Sequence, residues 1–395
     1  MAVSPDLASL ARDLVRIHDA VLSGTPPPDR PRAVVARSWN RVLALGVDPD
    51  GRNGRDPLPP GEVEERRRRS RLSLVIDETR ELLLSAADAS SYLVVVTDAD
   101  GVVLWRSGAP RVKRQADGLG FADGALWTEQ AVGTNAIGTA LAEGAPVQLF
   151  SAEHFENAQV PWYCTASPIH DPVDGSLLGV VDVSGPALSL HPAIEALVTA
   201  SVRLAEARLW RHHEDRLEML RRSVEPLLSS SNGPLLVVDD HGWVAAHQGV
   251  AVRDRVEVPQ ADRVVAVPGL GLCLPERLRD GWLIRPREGA ATVRARLELG
   301  AGSATLEVVA GGTPWRAALS PRHADLLVAL AEAGPRGATA ELLSMRLYGD
   351  GAHRVTVRAE ISRMRRSLGA LVATGPYRLG DGVELQVVRS AVEAE

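Results

Sequence analysis

Apolar residues follow two different spacings along the chain. Over Arg32–Leu45, Val34, Val35, Trp39 and Val42 fall on or near one helical face, and Leu72–Leu84 is helical again. Tyr92–Val96 and Val102–Trp105 are short β-rich runs on either side of Thr97-Asp98-Ala99-Asp100-Gly101, which predicts strand, Asp-Gly turn, strand. The same figure recurs at Ile169–Val183 around Val173-Asp174-Gly175, and at Leu235–Ala245 around Asp239-Asp240-His241-Gly242. Three such hairpins interleaved with helices predict antiparallel sheets with helices on one face, an α+β architecture used twice. Between the two, Ala193–Val224 reads as one long helix with Pro226 as its stop. Leu197, Leu204, Leu217, Leu220 and Val224 lie near heptad spacing, with His212–Asp215 interrupting the seam. That pattern fits a coiled-coil-like dimer contact or an amphipathic helix packed on its own sheet.

Toward the C-terminus the period is helical three times. Ser320-Pro321 opens a helix that turns Leu326, Leu327 and Leu330 inward, Thr339–Leu347 is the second, and Thr356–Leu368 the third, closed by Gly369. In the third, Val357, Ile361, Met364 and Leu368 form the apolar stripe, and Arg358, Ser362, Arg365 and Arg366 the opposite face. Tyr377-Arg378-Leu379 and Val383–Val388 flank Gly380-Asp381-Gly382 and predict a closing hairpin.

Composition narrows the function classes. The 395 residues suggest two to four domains, and 45% apolar with 24% charged residues is ordinary for a globular chain. Of 44 basic residues, 43 are arginine; the one lysine, Lys113, stands between Val112 and Arg114, so no Walker-type phosphate loop is encoded. Gly269-Leu-Gly271 lacks the continuation of a dinucleotide loop. Two cysteines, Cys164 and Cys273, are too few for a disulfide scaffold or a cysteine zinc cluster, and no cofactor is indicated. A charged N-terminus and the lack of a long apolar run predict no signal peptide, no membrane span and a cytoplasmic setting. Net charge is −6, yet Ser320–Gly380 carries nine arginines against five acids, a basic module on an acidic body. Arg66–Arg69, directly after Glu64 and Glu65, is read as a solvated helix segment rather than a nucleic-acid contact.

The most unusual segment runs from Leu126 to Gly144. Gly133 and Thr134 open a loop-to-helix transition, and small residues let the helix lie close to a sheet. Its first amides, at Thr134–Ala136, suit a ligand oxygen. Trp127, Phe155 and Trp162, with Thr134, Asn135 and His154 as polar points, would line a pocket for a small neutral or weakly acidic metabolite. The tryptophans equally fit plain core, and His154 either faces the pocket or caps the sheet. Cys164 with His154 or His170, oriented by Asp171 or Asp182, would be the enzymatic alternative, and Glu153, His154 and Cys164 a metal site; neither has a demanding spacing, and no enzyme is expected.

Trp127-x-Glu129, Gly133-Thr134-Asn135-Ala136-Ile137-Gly138-Thr139, Glu153-His154-Phe155, Ala166-x-Pro168-Ile169-x-Asp171 and Leu178-Gly179-Val180-x-Asp182-Val183-Ser184-Gly185 together resemble the GAF sensor domain of acetoin-operon activators. Arg37-Ser38-Trp39 is similar to their helical lead-in, and the resemblance covers residues 20–215. Those activators continue into an AAA+ ATPase acting with sigma-54 polymerase. These 395 residues do not, so a sigma-54-independent regulator is expected. Residues 319–386 resemble the winged helix-turn-helix of response-regulator-type transcription factors through Val357-Arg358-x-x-Ile361-Ser362-Arg363-x-Arg365-x-x-Leu368-Gly369 and Pro376-Tyr377-Arg378-Leu379. The resemblance implies Arg354, Arg358, Ser362, Arg365, Arg366 and Arg378 at double-stranded DNA. Leu235–Trp243 resembles only the opening of a PAS domain.

The expected organisation is a helical region 1–70, a GAF unit 71–215, a connector 216–229, a PAS-like α+β unit 230–315 and a winged helix 319–390. The expected function is one-component regulation of transcription by a homodimer that senses a small-molecule effector. The alternative is a sensory adaptor whose winged helix binds a protein such as RNA polymerase.

Overall fold

The computed structural model describes residues 6–51, 56–85, 92–231, 233–250, 254–261, 263–267, 270–286, 293–300, 303–309, 314–368, 371–380 and 382–389. Gly269, Gly369 and Asp381, named above, lie outside the described residues. The chain divides into two compact units, Met1–His213 and Glu214–Glu395.

In the first unit, α1 (Leu7–Leu22), α2 (Ala33–Leu45), α3 (Pro60–Arg69) and α4 (Ile76–Ser85) precede β1 (Leu93–Asp98) and β2 (Val103–Gly108). Helices α5 (Pro110–Gly118), α6 (Glu129–Val132) and α7 (Ala136–Glu143) lead to β3 (Val147–Phe150), β4 (Trp162–His170) and β5 (Leu177–Pro186), and α8 (Ile194–Ser223) follows. The strands form one antiparallel sheet in the order β2-β1-β5-β4-β3. The expected one-sided helical cover is corrected. Leu93, Val95, Leu149 and Val180 face a core containing Ile17, Val35, Trp39 and Ile137, while Val94, Val96, Val181 and Val183 face another containing Leu72, Leu83, Val198 and Leu209. Strand β1 is apolar at four consecutive positions, so successive side chains bury both faces. Residues 1–70 are likewise no separate region, because α1 and α2 supply part of the first of these cores.

The arginine run on α3 is paired within its own unit. Arg66 donates to Asp98 and Asp100, Arg67 to the Leu104 carbonyl, and Arg68 to Glu65. The expected heptad positions are divided between local cores: Leu197 packs in the first unit, Leu220 and Val224, the latter just past α8, in the second, and Leu204 is exposed.

In the second unit, α9 (Glu225–Ser230) is followed by β6 (Leu235–Val238), β7 (Val244–Gln248), β8 (Val265–Val267), β9 (Gly271–Arg277) and β10 (Trp282–Pro286). Their order, β7-β6-β10-β9-β8, repeats the first sheet strand for strand. The turns match too. Asp98 Oδ1 accepts from the Asp100 and Val102 amides at 3.0 and 2.9 Å, and Asp239 Oδ1 from His241 and Trp243 at 2.9 and 2.8 Å. An aspartate bonding the backbone two residues on replaces a backbone-only turn.

Strands β11 (Val293–Leu299), β12 (Ala304–Val309) and β13 (Trp315–Leu319) precede α10 (Pro321–Ala333), α11 (Ala340–Tyr348) and α12 (Arg354–Leu368), then β14 (Val372–Ala373), β15 (Arg378–Leu379) and β16 (Val383–Arg389). The expected middle unit of 230–315 therefore holds two sheets, since β11–β13 pair with one another and with β16, in the order β13-β12-β11-β16. The expected closing hairpin is also corrected. Strand β15 pairs with β14, and β16 runs parallel to β11, with Leu385 opposite Ala295. Val383, Leu385 and Val387 alternate along β16 and pack on the module's core, which fixes its register.

Candidate ligand core and candidate nucleic-acid face

The glycine-rich motif folds around polar contacts from α2. Ser38 Oγ donates to Glu129 Oε1 at 2.5 Å and lies 2.7 Å from Thr134 Oγ1 and 3.2 Å from Thr139 Oγ1. Arg41 straddles the same carboxylate, Nε to Oε2 at 2.7 Å and Nη2 to Oε1 at 2.8 Å, and reaches Glu143 with Nη1 at 2.9 Å. Arg37 also donates to Glu143. A buried carboxylate is tolerated here because three donors meet it. Asn135 caps α7, accepting from the Gly138 amide at 2.8 Å while its Nδ2 donates to the Gly133 carbonyl at 2.9 Å. A Cβ at Gly138 would stand 2.5 Å from the Glu129 amide nitrogen, so only glycine permits this approach.

The segment Glu153-His154-Phe155 is fastened from both N-terminal helices. Arg32 holds Glu153 through Nε and Nη2 at 2.5 and 2.7 Å, Trp39 Nε1 donates to the Glu153 carbonyl, and His18 Nε2 lies 3.0 Å from the Phe155 carbonyl. His154 is fully buried. Its Nδ1 sits 2.9 Å from the Ser151 carbonyl, and its Nε2 has no hydrogen-bond partner. Desolvation lowers its pKa to about 4, so the ring is neutral near pH 7. Trp127, Phe155 and Trp162 join one apolar core, with Trp127 stacked on Phe121 at 4.2 Å. Of the six expected pocket residues, Thr134 and Asn135 are thus engaged in the local framework, and His154 keeps an unmatched nitrogen.

A second polar group lies on the sheet face that looks into this core. Ser184 Oγ donates to Asp182 Oδ2 and is 3.1 Å from Cys164 Sγ; Asp182 Oδ1 and Thr97 Oγ1 have no partner. Burial raises Asp182 to about 7 and pushes the Cys164 thiol well above its ordinary range. A thiol so disfavoured as thiolate is a poor nucleophile. The expected alternative pairing of Cys164 with a histidine is not formed: its partner is Ser184, His154 turns to Ser151, and half-exposed His170 lies 3.8 Å from Glu206. Among the described residues no three His, Cys, Asp or Glu side chains are grouped to hold a metal ion.

In the second unit, Val357, Ile361, Met364 and Leu368 are all at most 2% exposed, which turns the arginines of α12 outward. Arg354, Arg358, Ser362 and Arg366 are exposed and Arg365 half-buried. Arg354 lies 4.0 Å from Glu341, and Arg378 is half-buried and donates to the Leu379 carbonyl at 3.2 Å. A groove of about 500 Å³ runs beside the helix, lined by Arg358, Ser362, Arg365, Arg366, Tyr377 and Glu257. Sequence reasoning missed the α2 clamp and Glu257. The clamp had a signal, Arg37 and Arg41 one turn apart with Ser38 between them. Glu257 had none, since it meets α12 only through the fold.

The model of the MimR N-terminal domain matches residues 11–204. An uncharacterized 47.3 kDa protein from the region 5′ of thcA in Rhodococcus erythropolis is 31% identical over 390 residues, 96% of this chain and 72% of that protein. AcoR of Bacillus subtilis, an acetoin dehydrogenase operon transcriptional activator, is 37% identical over 224 residues, 56% of this chain and 37% of AcoR. MimR of Mycolicibacterium smegmatis, a propane 2-monooxygenase operon transcriptional activator, is 33% identical over 206 residues, 51% of this chain and 34% of MimR. The chain thus spans little more than a third of the length of either activator.

Proposed function

The chain belongs to the family of the Rhodococcus erythropolis 47.3 kDa protein and carries a MimR N-terminal domain, and from that premise we propose that it is a transcriptional regulator that binds double-stranded DNA through α12. The observation that carries the reading is the two-sided character of that helix, four buried apolar residues beneath an outward row of guanidinium groups. Three helices of which the third is basic suit entry into a major groove, where Arg358 and Arg365 bond guanine edges or phosphates. Arg354, Ser362, Arg366 and Arg378 hold the backbone on either side. What supports the regulatory half is likeness to two transcriptional activators over 224 and 206 residues.

In this reading the N-terminal unit, of GAF type by its motifs, senses a small uncharged metabolite. His154, Trp127, Phe155, Trp162, Thr134 and Asn135 shape the site, and the effector acts by binding one state of a homodimer more tightly than another. The unmatched His154 Nε2 and Asp182 Oδ1 in an apolar core favour a ligand with a hydroxyl over an anion. Fluorescence anisotropy of a labelled duplex from the protein's own upstream region, at two salt concentrations, tests the DNA half. Saturable binding that weakens with salt and survives competitor DNA is the expected result. Salt-independent or absent binding would move the helix to a protein partner.

A further inference from the structure

Helix α12 does not face open solvent along its whole length. Glu257, in the segment between β7 and β8, lines the groove beside it and places a carboxylate oxygen 3.7 Å from Arg365 Nη2. Arg365 Nε is buried without a hydrogen-bond partner. A few residues on, Arg263 donates to the Arg366 carbonyl at 3.5 Å and lies over the Trp315 ring, while Val264 enters the core of the C-terminal module. The strand-linking segment is therefore anchored to the module at one end and holds a negative charge against the arginine face at the other. Burial raises the Glu257 carboxyl, against the pull of Arg365.

We propose that the segment carrying Glu257 is a built-in competitor of nucleic acid, occupying the arginine groove of α12 and leaving it when DNA binds. The inference rests on the DNA-binding reading above. A phosphate oxygen and the Glu257 carboxylate seek the same guanidinium, and two like charges do not share it at low cost. Apparent affinity is then the intrinsic affinity multiplied by the fraction of molecules whose groove is open. The sheet that bears the segment thereby sets how readily α12 engages DNA.

The test is duplex binding by the full chain as wild type, Glu257→Gln, Glu257→Arg and Asp280→Asn. Glu257→Gln keeps the shape and removes the charge, and is expected to tighten binding roughly three- to tenfold; Glu257→Arg is expected to tighten it further. Asp280 is exposed on the β9–β10 turn, so Asp280→Asn removes an equal charge and is expected to change nothing. Wild type and Glu257→Gln binding DNA equally would overturn the competitor and leave the DNA reading standing. Equal tightening by Asp280→Asn would overturn it in favour of net charge. No binding by any of the four proteins would overturn both readings.

Discussion

Asp182 and His154 are both buried titratable groups, and they bias stability in opposite directions. Asp182 in the fold titrates near 7, above the 3.8 of a free aspartate, so the native state keeps the proton longer. Its neutral form is fully accommodated below about pH 4, and stability is lost as pH rises to about 7. His154 titrates near 4, below the ordinary 6.5, so it supports the fold above about pH 6.5 and weakens it as pH falls toward 4. Asp182→Asn is accordingly expected to raise the melting temperature more at pH 8 than at pH 5, as thermal melts at the two pH values will show. An equal change at both would mean the carboxyl is not held neutral. On α12, Arg358→Ala is expected to cost about 1–3 kcal/mol and relax base preference if it reads a guanine. If the residue meets only phosphate, all sequences weaken alike and the salt slope falls by about one. Competition anisotropy with operator and random duplexes separates these outcomes.

At the scale of elements, α2 decides whether the glycine-rich motif keeps its shape. Arg41 is the donor that straddles Glu129 and also reaches Glu143, so Arg41→Ala leaves a buried carboxylate with Ser38 alone. The expected loss is about 2–3 kcal/mol in urea unfolding, below the range for fully buried pairs because Arg41 is partly solvated. Arg68→Ala, which breaks an exposed pair with Glu65, is expected to stay within about 0.5 kcal/mol. Elements fixed by local pattern were legible in the sequence: the buried stripe of α12, the Ser320 cap of α10 and the Asp-Gly turns all follow from residues within a few positions. What sequence could not supply is pairing across distance. Gly380-Asp381-Gly382 has the composition of a hairpin tip, yet β16 finds a better partner in β11, where Leu385 and Val387 bury against the module core. The surroundings of the expected pocket residues were hidden for the same reason: the hydrogen bond of Thr134 to Ser38 of α2 joins residues far apart in the chain.

Across the whole molecule, the same strand order appears in both five-stranded sheets, with the same aspartate turn at the first hairpin. The first copy carries the unmatched polar atoms of Asp182, Thr97 and His154; at the place in β10 that matches Asp182 in β5 the second copy has Ile284. The proposed sensing and the proposed control of α12 through Glu257 thereby fall to different copies. The parallel pairing of β11 with β16 joins residues some ninety positions apart. During synthesis β11 remains an open edge until Val383–Arg389 has left the ribosome, and a chain stopped before that point exposes an alternating apolar edge to its neighbours. A fragment begun at 319 would make the reverse error, leaving β16 without β11, so we expect it to aggregate where one begun at 293 stays dispersed in light scattering.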